Sequence, residues 1–339
     1  MIIGIHYLRA IAALMVVFHH TLKYTNIKES SSFGASGVDI FFVISGFVMA
    51  WTTRDIDPRS NRFDSAKTFL RHRFIRVVPL YWIALLWNIK ADVIKHSVPE
   101  GAWLDFAFIP RFNALQEGGI FPLLVPGWTI NYEMFFYAIF AFSIFFGKWR
   151  MAALFSAMLA FICLGHLVQP TSAPAIFYSD PIILEFLYGA ALCMFVKKYG
   201  FPQYSHWAWA GVIVGFLALF IATQHGHAVS RGLTAGPCAV LIIFSSMSAF
   251  RQSQIPIFNL LANASFSIYL SHSFTFKVSG HLFDAVFPDQ QGIAIDLAEI
   301  IFRMMVAALI GVLAHWYIEK PIIRFLQPKH PSTSINSRT

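Results

Sequence analysis

Ten apolar runs, each about long enough to cross a lipid bilayer as a helix, follow one another along this chain of 339 residues. A membrane-spanning helix needs about 20 apolar residues, and only helices and closed barrels can satisfy their backbone groups in lipid. The runs do not alternate polar with apolar residues, so they predict helices. They cover 2–22, 36–52, 74–90, 128–146, 150–168, 181–196, 206–223, 233–250, 258–276 and 295–317. The sequence therefore predicts an all-α polytopic membrane protein with about ten transmembrane helices.

The composition supports the same class of protein. Hydrophobic residues make up 57% of the chain and charged residues only 12%, whereas a soluble domain has about 25% charged residues. This composition excludes a nucleic-acid-binding protein, a disordered chain and a secreted disulfide scaffold as main interpretations. Cys163, Cys193 and Cys238 lie within apolar runs and have no metal-ligand spacing, so we expect buried thiols.

The distribution of Lys and Arg predicts the orientation in the membrane, because basic loops stay on the cytoplasmic side. Most of the 25 basic residues fall on one side of the predicted spans. The segment between the second and third runs, together with the start of the third run, holds seven of them, Arg54, Arg59, Arg62, Lys67, Arg71, Arg73 and Arg76. We therefore expect both termini to be cytoplasmic. Residues 1–328 are expected to form one transmembrane domain, followed by a short polar cytoplasmic tail at 329–339. The long outer loop 91–127 is a candidate for a functional loop because of its length.

Ionisable side chains within spans are costly and are candidates for function. Helical depth places His20, Asp39, Glu133 and His272, on four different spans, at one level near the outer side. A histidine beside a carboxylate suits general acid–base catalysis. A hydrogen-bonded network that holds the helices together is the structural alternative. No close spacing of histidines and carboxylates supports a metal site, so none is predicted.

Arginines gather toward the inner side. Arg73 and Arg76 lead into the third span, while Arg9 lies inside the first span, on the same face as His20 and about 16 Å from it. Guanidinium groups bind phosphate with two parallel hydrogen bonds, which predicts a phosphate-bearing ligand. Ordinary anchoring of a cytoplasmic loop is the alternative for this cluster, and it applies above all to the neighbouring Arg71.

Two further patterns favour structural roles. Glu299 and Arg303 are four residues apart in the last span, so we expect an ion pair within one helix. Gly34, Gly37 and Gly46 are expected to allow close packing between helices.

Six short sequence blocks follow one another over nearly the whole chain. They are Arg9 to His20 (Arg, ten residues, His), GVDIFFVISGF from Gly37, FLRHRFIRVVPLYW from Phe69, PGWTINYEMFFY from Pro126, FSIYLSHSF from Phe266 and WYIEKP from Trp316. In these blocks the chain resembles the acyltransferase-3 family of bacterial integral-membrane acyltransferases. It looks most like the short exopolysaccharide O-acetyltransferases of that family.

The resemblance implies an enzyme of the bacterial inner (cytoplasmic) membrane. The implied reaction moves an acyl group, usually acetyl, from cytoplasmic acyl-CoA to a hydroxyl of an extracytoplasmic or lipid-linked surface polysaccharide. Acetyl-CoA would be the donor substrate, and no permanently bound cofactor is expected. The implied partners are the polysaccharide or lipid-linked sugar acceptor, membrane lipids and polysaccharide-synthesis machinery, with no nucleic acid.

The resemblance and the charge pattern together predict roles for individual residues. We expect His20 to be the general base, Glu133 or Asp39 to orient it, and Arg9, Arg73 and Arg76 to bind acyl-CoA. We expect His272, Tyr81, Ser45 and Trp128 to form a supporting polar network. A covalent acyl-histidine relay is the mechanistic variant. The alternative function is a transporter or flippase of a glycan or lipid-linked intermediate, which would move its substrate without consuming CoA.

Overall fold

A computed structural model describes residues 2–27, 32–56, 61–93, 101–224, 230–288 and 292–327. Over these ranges the chain is helical, and no strand is present beyond an isolated antiparallel bridge between Phe112 and Ile120. The all-α prediction is therefore confirmed. The expected tail at 329–339 lies outside the described residues.

Ten of the described helices have 16 residues or more, and each coincides with one of the ten apolar runs. They are α1 (Ile3–Thr21), α2 (Gly37–Thr52), α3 (Arg62–Val93), α5 (Gly127–Ile144), α6 (Arg150–Val168), α8 (Leu184–Tyr199), α9 (Trp207–Gln224), α10 (Arg231–Ala249), α12 (Ser265–Val286) and α13 (Ile293–Ala314). The shorter helices are α4 (Trp103–Phe106), α7 (Ala173–Tyr178), α11 (Pro256–Asn263) and α14 (Lys320–Leu326). Connections between the long helices are mostly short, as in a helical bundle.

Six helical segments of the described chain are long and apolar enough to cross a membrane. They contain α1, α2, α6, α9, α10 and α13. The helices α3, α5, α8 and α12 do not meet the same criteria of length and apolar composition, and they carry arginine, glutamate and histidine side chains in their interiors. The chain is thus a multi-helix membrane protein, and buried charged side chains occur on helices of both kinds, such as Asp39 on α2 and Glu185 on α8.

Two helices differ from the extents that the apolar runs predict. Helix α3 begins at Arg62, twelve residues before its run, so that Arg73 and Arg76 lie on a helix and not in a loop. The run 258–276 is divided between α11 and α12, which places His272 about a third of the way along α12 and not near its end. Hydropathy misses both features because it records apolar content, whereas a helix continues through charged residues and breaks within apolar ones.

Small residues bring α1, α2 and α8 into backbone contact. A Cβ on Gly46 would lie 1.9 Å from the carbonyl oxygen of Phe186, and a Cβ on Gly189 would lie 2.0 Å from that of Val43. A Cβ on Gly37 would meet a carbonyl oxygen of α1 at 2.3 Å. A Cβ on Gly34 would lie 2.8 Å from the Cβ of His19. The expectation that Gly34, Gly37 and Gly46 allow close packing is therefore confirmed.

The long helices differ greatly in how much of their surface the protein covers. In the apolar segment that contains α2, 78% of the residues are buried, compared with 11% in the segment that contains α6. The exposed surface of α6 and α9 is rich in large apolar side chains, which suits contact with lipid. Cys163 on α6 is exposed, so the prediction of a buried thiol is wrong there, whereas Cys193 is buried and Cys238 is half-buried.

Candidate active site

Helices α1, α2, α3, α5 and α12 enclose a cavity of about 250 Å³, here called the central cavity. It follows α2 from Val38 to Met49, about 16 Å along the helix axis. Much of its wall is apolar. Its polar lining residues are Arg9, Ser45, Arg73, Arg76, Thr129, Glu133, Tyr137, Ser265 and Tyr269. A mostly apolar cavity with a few convergent polar groups is typical of a ligand site.

Three guanidinium groups enter the central cavity from α1 and α3. Arg9 donates from Nη2 to Ser265 Oγ at 3.1 Å, and Arg73 and Arg76 lie one turn apart on α3. Arg73 Nε is buried and has no hydrogen-bond partner among the described residues. Since Glu133 is the single carboxylate in the described lining, the cavity carries excess positive charge that an anionic ligand would balance.

Glu133 is held by two neighbours inside the cavity. Its Oε1 accepts a hydrogen bond from Ser45 Oγ at 3.1 Å and another from the Tyr137 hydroxyl. Tyr137 lies one turn further along the same helix, and Ser45 comes from α2. These bonds fix the carboxylate within electrostatic range of Arg9.

His20 and His272 contact each other. Their ring centroids are 5.0 Å apart with an interplanar angle of 22°, and the ring of His19 packs on His20 edge to face, also at 5.0 Å. His272 is buried, and its Nδ1 lies 2.5 Å from the carbonyl oxygen of Tyr269. Because a carbonyl oxygen can only accept, Nδ1 carries the proton, which leaves Nε2 of the neutral ring as an acceptor.

Tyr269 lies between the histidine pair and the central cavity. Its ring lines the cavity and lies 5.9 Å from the ring of His272. Its hydroxyl is 2.8 Å from Thr129 Oγ1 and donates to the carbonyl oxygen of Pro126 at 3.0 Å. Sequence reasoning did not single out Tyr269, Thr129 or Tyr137, although all three fall inside the matched blocks, and block membership was the signal available.

Asp39 forms an ion pair with Arg231. Arg231 donates from Nη2 to Asp39 Oδ2 at 2.5 Å and from Nε to Oδ1 at 3.3 Å, and it also donates to the carbonyl oxygen of Ala35 at 3.2 Å. Asp39 is fully buried, as is Glu185 beside it. The contacts of Asp39 and Glu133 thus go to groups other than His20, and the orienting role of either carboxylate stays a prediction.

The expected supporting network divides into two parts. Ser45 and His272 belong to the contacts described above. Tyr81 instead packs on Phe108 with ring centroids 5.1 Å apart, and its buried hydroxyl has no partner among the described residues. Trp128 packs edge to face on Phe42 and does not line the central cavity.

A second carboxylate lies near the N-terminal end of α12. The helix between α13 and α14 widens to a π-turn at His315–Glu319, a feature that is frequent at functional sites. Glu319 Oε2 accepts from Ser267 Oγ at 2.7 Å and lies 2.8 Å from His315 Nδ1. Glu319 is buried within electrostatic range of Arg9, so it contributes negative charge near the arginines. Sequence reasoning missed this residue although it belongs to the last matched block.

Further polar groups are tied into the fold by internal contacts. Arg303 and Glu299 form the expected ion pair, with Nη2 2.5 Å from Oε1. In the described part of the loop 91–127, Arg111 pairs with buried Asp105 at 3.0 Å. Burial raises the pKa of the Tyr178 hydroxyl, which donates to a carbonyl oxygen of this loop at 2.8 Å. The described part of the loop is therefore held by internal polar contacts.

The fold and the cavity define a class, a helical membrane protein with a cationic interior site. Comparison with known proteins names the family. The model of an acyltransferase domain matches residues 2–317, and the chain belongs to this acyltransferase-3 family. No solved structure matches the chain.

Two curated relatives cover most of the chain. The exopolysaccharide production protein ExoZ of Rhizobium meliloti (strain 1021) is 33% identical over 312 residues, which is 86% of this chain and 90% of the relative. The acyltransferase MdmB of Streptomyces mycarofaciens is 23% identical over 344 residues, which is 91% of this chain and 85% of the relative.

Proposed function

We propose that this membrane acyltransferase moves an acetyl group from acetyl-CoA on the cytoplasmic side to a hydroxyl of an extracytoplasmic or lipid-linked polysaccharide. The observation that carries the proposal is the order of groups in the bundle. Three arginines enter the central cavity, and a histidine pair lies beyond Tyr269. This order supports a phosphate-bearing donor bound at the arginines and a proton acceptor on the far side of Tyr269.

The proposal includes ten membrane spans with both termini in the cytoplasm of a bacterium. Ten long helices coincide with the ten apolar runs, and most Lys and Arg residues fall on one side of them. In this orientation α1 and α12 both run outward. Ser265, which binds Arg9, then lies on the inner side of His272, which contacts His20.

The donor binds with its phosphates at the arginines. Guanidinium groups suit phosphate because their donors match its oxygens in pairs, and the unpartnered Nε of Arg73 offers such a donor. Arg76 lies one turn away, and Arg9 is held in place by Ser265. The thioester end extends along the mostly apolar wall toward the histidine pair.

His20 takes the proton from the acceptor hydroxyl. The resulting alkoxide attacks the thioester carbonyl carbon, the carbon–sulfur bond breaks, and the CoA thiolate leaves and takes the proton from His20. Glu133 supplies negative charge beside Arg9, and Asp39 remains the second candidate to support His20. In the relay variant His20 first carries the acyl group itself.

The proposed class of acceptor rests on the name of a relative. The protein of Rhizobium meliloti is named for exopolysaccharide production, which favours a surface polysaccharide and association with the machinery that makes it. Acyl-CoA is a substrate that leaves as CoA, so no resident cofactor is needed.

The test uses purified protein in proteoliposomes with acetyl-CoA, and it follows release of the CoA thiol with and without candidate polysaccharides. We expect release that depends on the acceptor, and a loss of about 10² to 10⁴-fold in His20→Ala. His19→Ala is the matched control and should stay active. Arg73→Gln should raise KM for acetyl-CoA more than it lowers kcat. A folded wild-type protein that moves glycan and releases no thiol would favour a flippase instead.

A further inference from the structure

A second cavity of about 330 Å³ lies on the basic side of the bundle. It is formed by the end of α2, the start of α3, the link between α5 and α6, and the last turn of α8. Five cationic side chains line this basic cavity, Arg54, Arg62, Lys148, Arg150 and Lys197.

The basic cavity is separate from the central cavity. The two have no lining residue in common. At the end of α2, Val48 and Met49 line the central cavity, whereas Ala50, and Arg54 two residues beyond the helix, line the basic cavity. A ligand here is therefore held by residues other than those proposed to bind the donor.

The positive charge of the basic cavity is largely unbalanced. No carboxylate lines it among the described residues. Arg54 pairs with the exposed Asp55 at 3.1 Å and packs over the ring of Trp51. The other four cations form no ion pair with a described residue. Arg62, Lys148 and Lys197 are exposed, so water can solvate these charges, and the concentration of like charge attracts anions to the cavity.

Parts of the basic cavity are built by specific contacts. Arg62 donates from Nη1 to the carbonyl oxygen of Phe145, at the end of α5, at 2.8 Å. Gly147 folds over the same guanidinium with φ +58°, and a Cβ there would lie 3.0 Å from Nη2. Helix α6, 19 residues long, begins at the cavity without a side-chain cap, so the positive end of its dipole adds to the charge.

We propose that the basic cavity binds the phosphate headgroup of an anionic phospholipid from the cytoplasmic leaflet. The cations suit phosphate, and the remaining lining includes Ile144, Met151 and Met194, which suit the apolar part of a lipid. Met194 is 41% exposed, and α6 presents apolar side chains outward beside the cavity. The phosphates of a soluble nucleotide share the same chemistry, and the experiment separates the two sources.

The experiment measures lipid binding to the whole protein in neutral detergent by native mass spectrometry and by the shift in Tm. The probes are phosphatidylglycerol, phosphatidylcholine and adenosine 3′,5′-bisphosphate. The variant R62Q/K197Q removes two lining cations, and K67Q/K198Q is the matched control, since it removes two nearby exposed cations that do not line the cavity.

We expect phosphatidylglycerol to bind and to raise Tm in the wild type and the control, and phosphatidylcholine to do so weakly. R62Q/K197Q should bind phosphatidylglycerol at least about tenfold more weakly while its KM for acetyl-CoA stays unchanged. Equal losses in both double variants, or equal binding of both lipids, would overturn the proposal. Displacement of phosphatidylglycerol by the nucleotide, with a raised KM in R62Q/K197Q, would assign the cavity to the donor. The lipid measurement does not require acyl transfer, so either proposal can fail alone.

Discussion

Two groups of charged side chains contact α2, and only one of them lines the central cavity. Asp39 is fully buried, is paired with Arg231 and lies beside Glu185, and none of the three lines the central cavity. Glu133 bonds to Ser45 six residues further along α2 and faces the cavity together with Arg9. Both groups are ionisable and buried in a membrane protein, yet one is closed and the other can receive a ligand.

The difference shows that a charged residue within a span does not by itself mark a catalytic group. A closed ion pair such as Asp39–Arg231 holds two helices, α2 and α10, together, because each charge satisfies the other. A group that faces a cavity keeps hydrogen-bonding capacity for a ligand, as the unpartnered Nε of Arg73 illustrates. Depth and charge can be estimated from a sequence, whereas adjacency to a cavity comes from the packing of distant segments.

The largest expected effect comes from opening the closed pair. Arg231→Gln leaves Asp39 buried without its cation, beside Glu185, and removal of one partner from a buried pair costs about 3–5 kcal/mol. We expect a lower Tm and a lower yield of folded protein in detergent.

The double variant D39N/R231Q is the control, since it removes both charges and should recover much of the stability. An Arg231→Gln protein that stays fully stable but loses activity would show that the Asp39 group belongs to the catalytic machinery. This outcome would contradict the distinction between the Asp39 group and the Glu133 group.

Glu133→Gln, in contrast, should lower activity more than it lowers stability. The amide keeps the shape and one acceptor, so Ser45 can still bond to it and the fold should be retained. Loss of the negative charge beside Arg9 is expected to lower kcat/KM for acetyl transfer by about a hundredfold. Asp39→Asn is the matched variant, and it should lower Tm more than Glu133→Gln does. Equal changes of Tm and kcat/KM in both variants would contradict the distinction.

The sequence predicted the helices well because apolar runs report directly on contact with lipid. It misplaced the start of α3, where Arg73 interrupts the run, and the break before Ser265, where the run continues across a turn. It identified His20 and His272 as neighbours in depth, and the structure brings their rings into contact.

The partner of Asp39 was beyond such reasoning. Arg231 is 192 residues away along the chain and begins α10, so only the tertiary packing of α2 against α10 pairs them. The same holds for Tyr269 and Thr129, whose hydroxyls meet across 140 residues. Motif blocks contain these residues, but a block does not say which of its polar side chains face one another.

A smaller effect is expected from adding a side-chain atom at the backbone contact between α2 and α8. Gly189→Ala places a methyl group 2.0 Å from the carbonyl oxygen of Val43, so α2 and α8 must separate. Overpacking of this kind costs about 1–3 kcal/mol, and we expect lower Tm with a smaller loss of activity than in Glu133→Gln. Ala152→Val adds volume on the exposed face of α6 and should change stability by less than about 0.5 kcal/mol. Equal effects of the two substitutions would show that the α2–α8 contact is not close.

The smallest expected effect tests the boundary between the central cavity and the histidine pair. Tyr269→Phe keeps the ring that separates them and removes the hydroxyl that bonds to Thr129 and Pro126. A hydrogen bond within a membrane protein contributes about 0.6 kcal/mol on average, so kcat/KM should fall by about threefold if the hydroxyl only positions α12. Thr129→Val should have a similar effect, and the double variant should add little, because the two substitutions remove the same bond between the Tyr269 and Thr129 hydroxyls. A hundredfold loss in Tyr269→Phe with normal activity in Thr129→Val would mean that the hydroxyl touches the reacting atoms, and the catalytic centre would then lie at the cavity and not at His20.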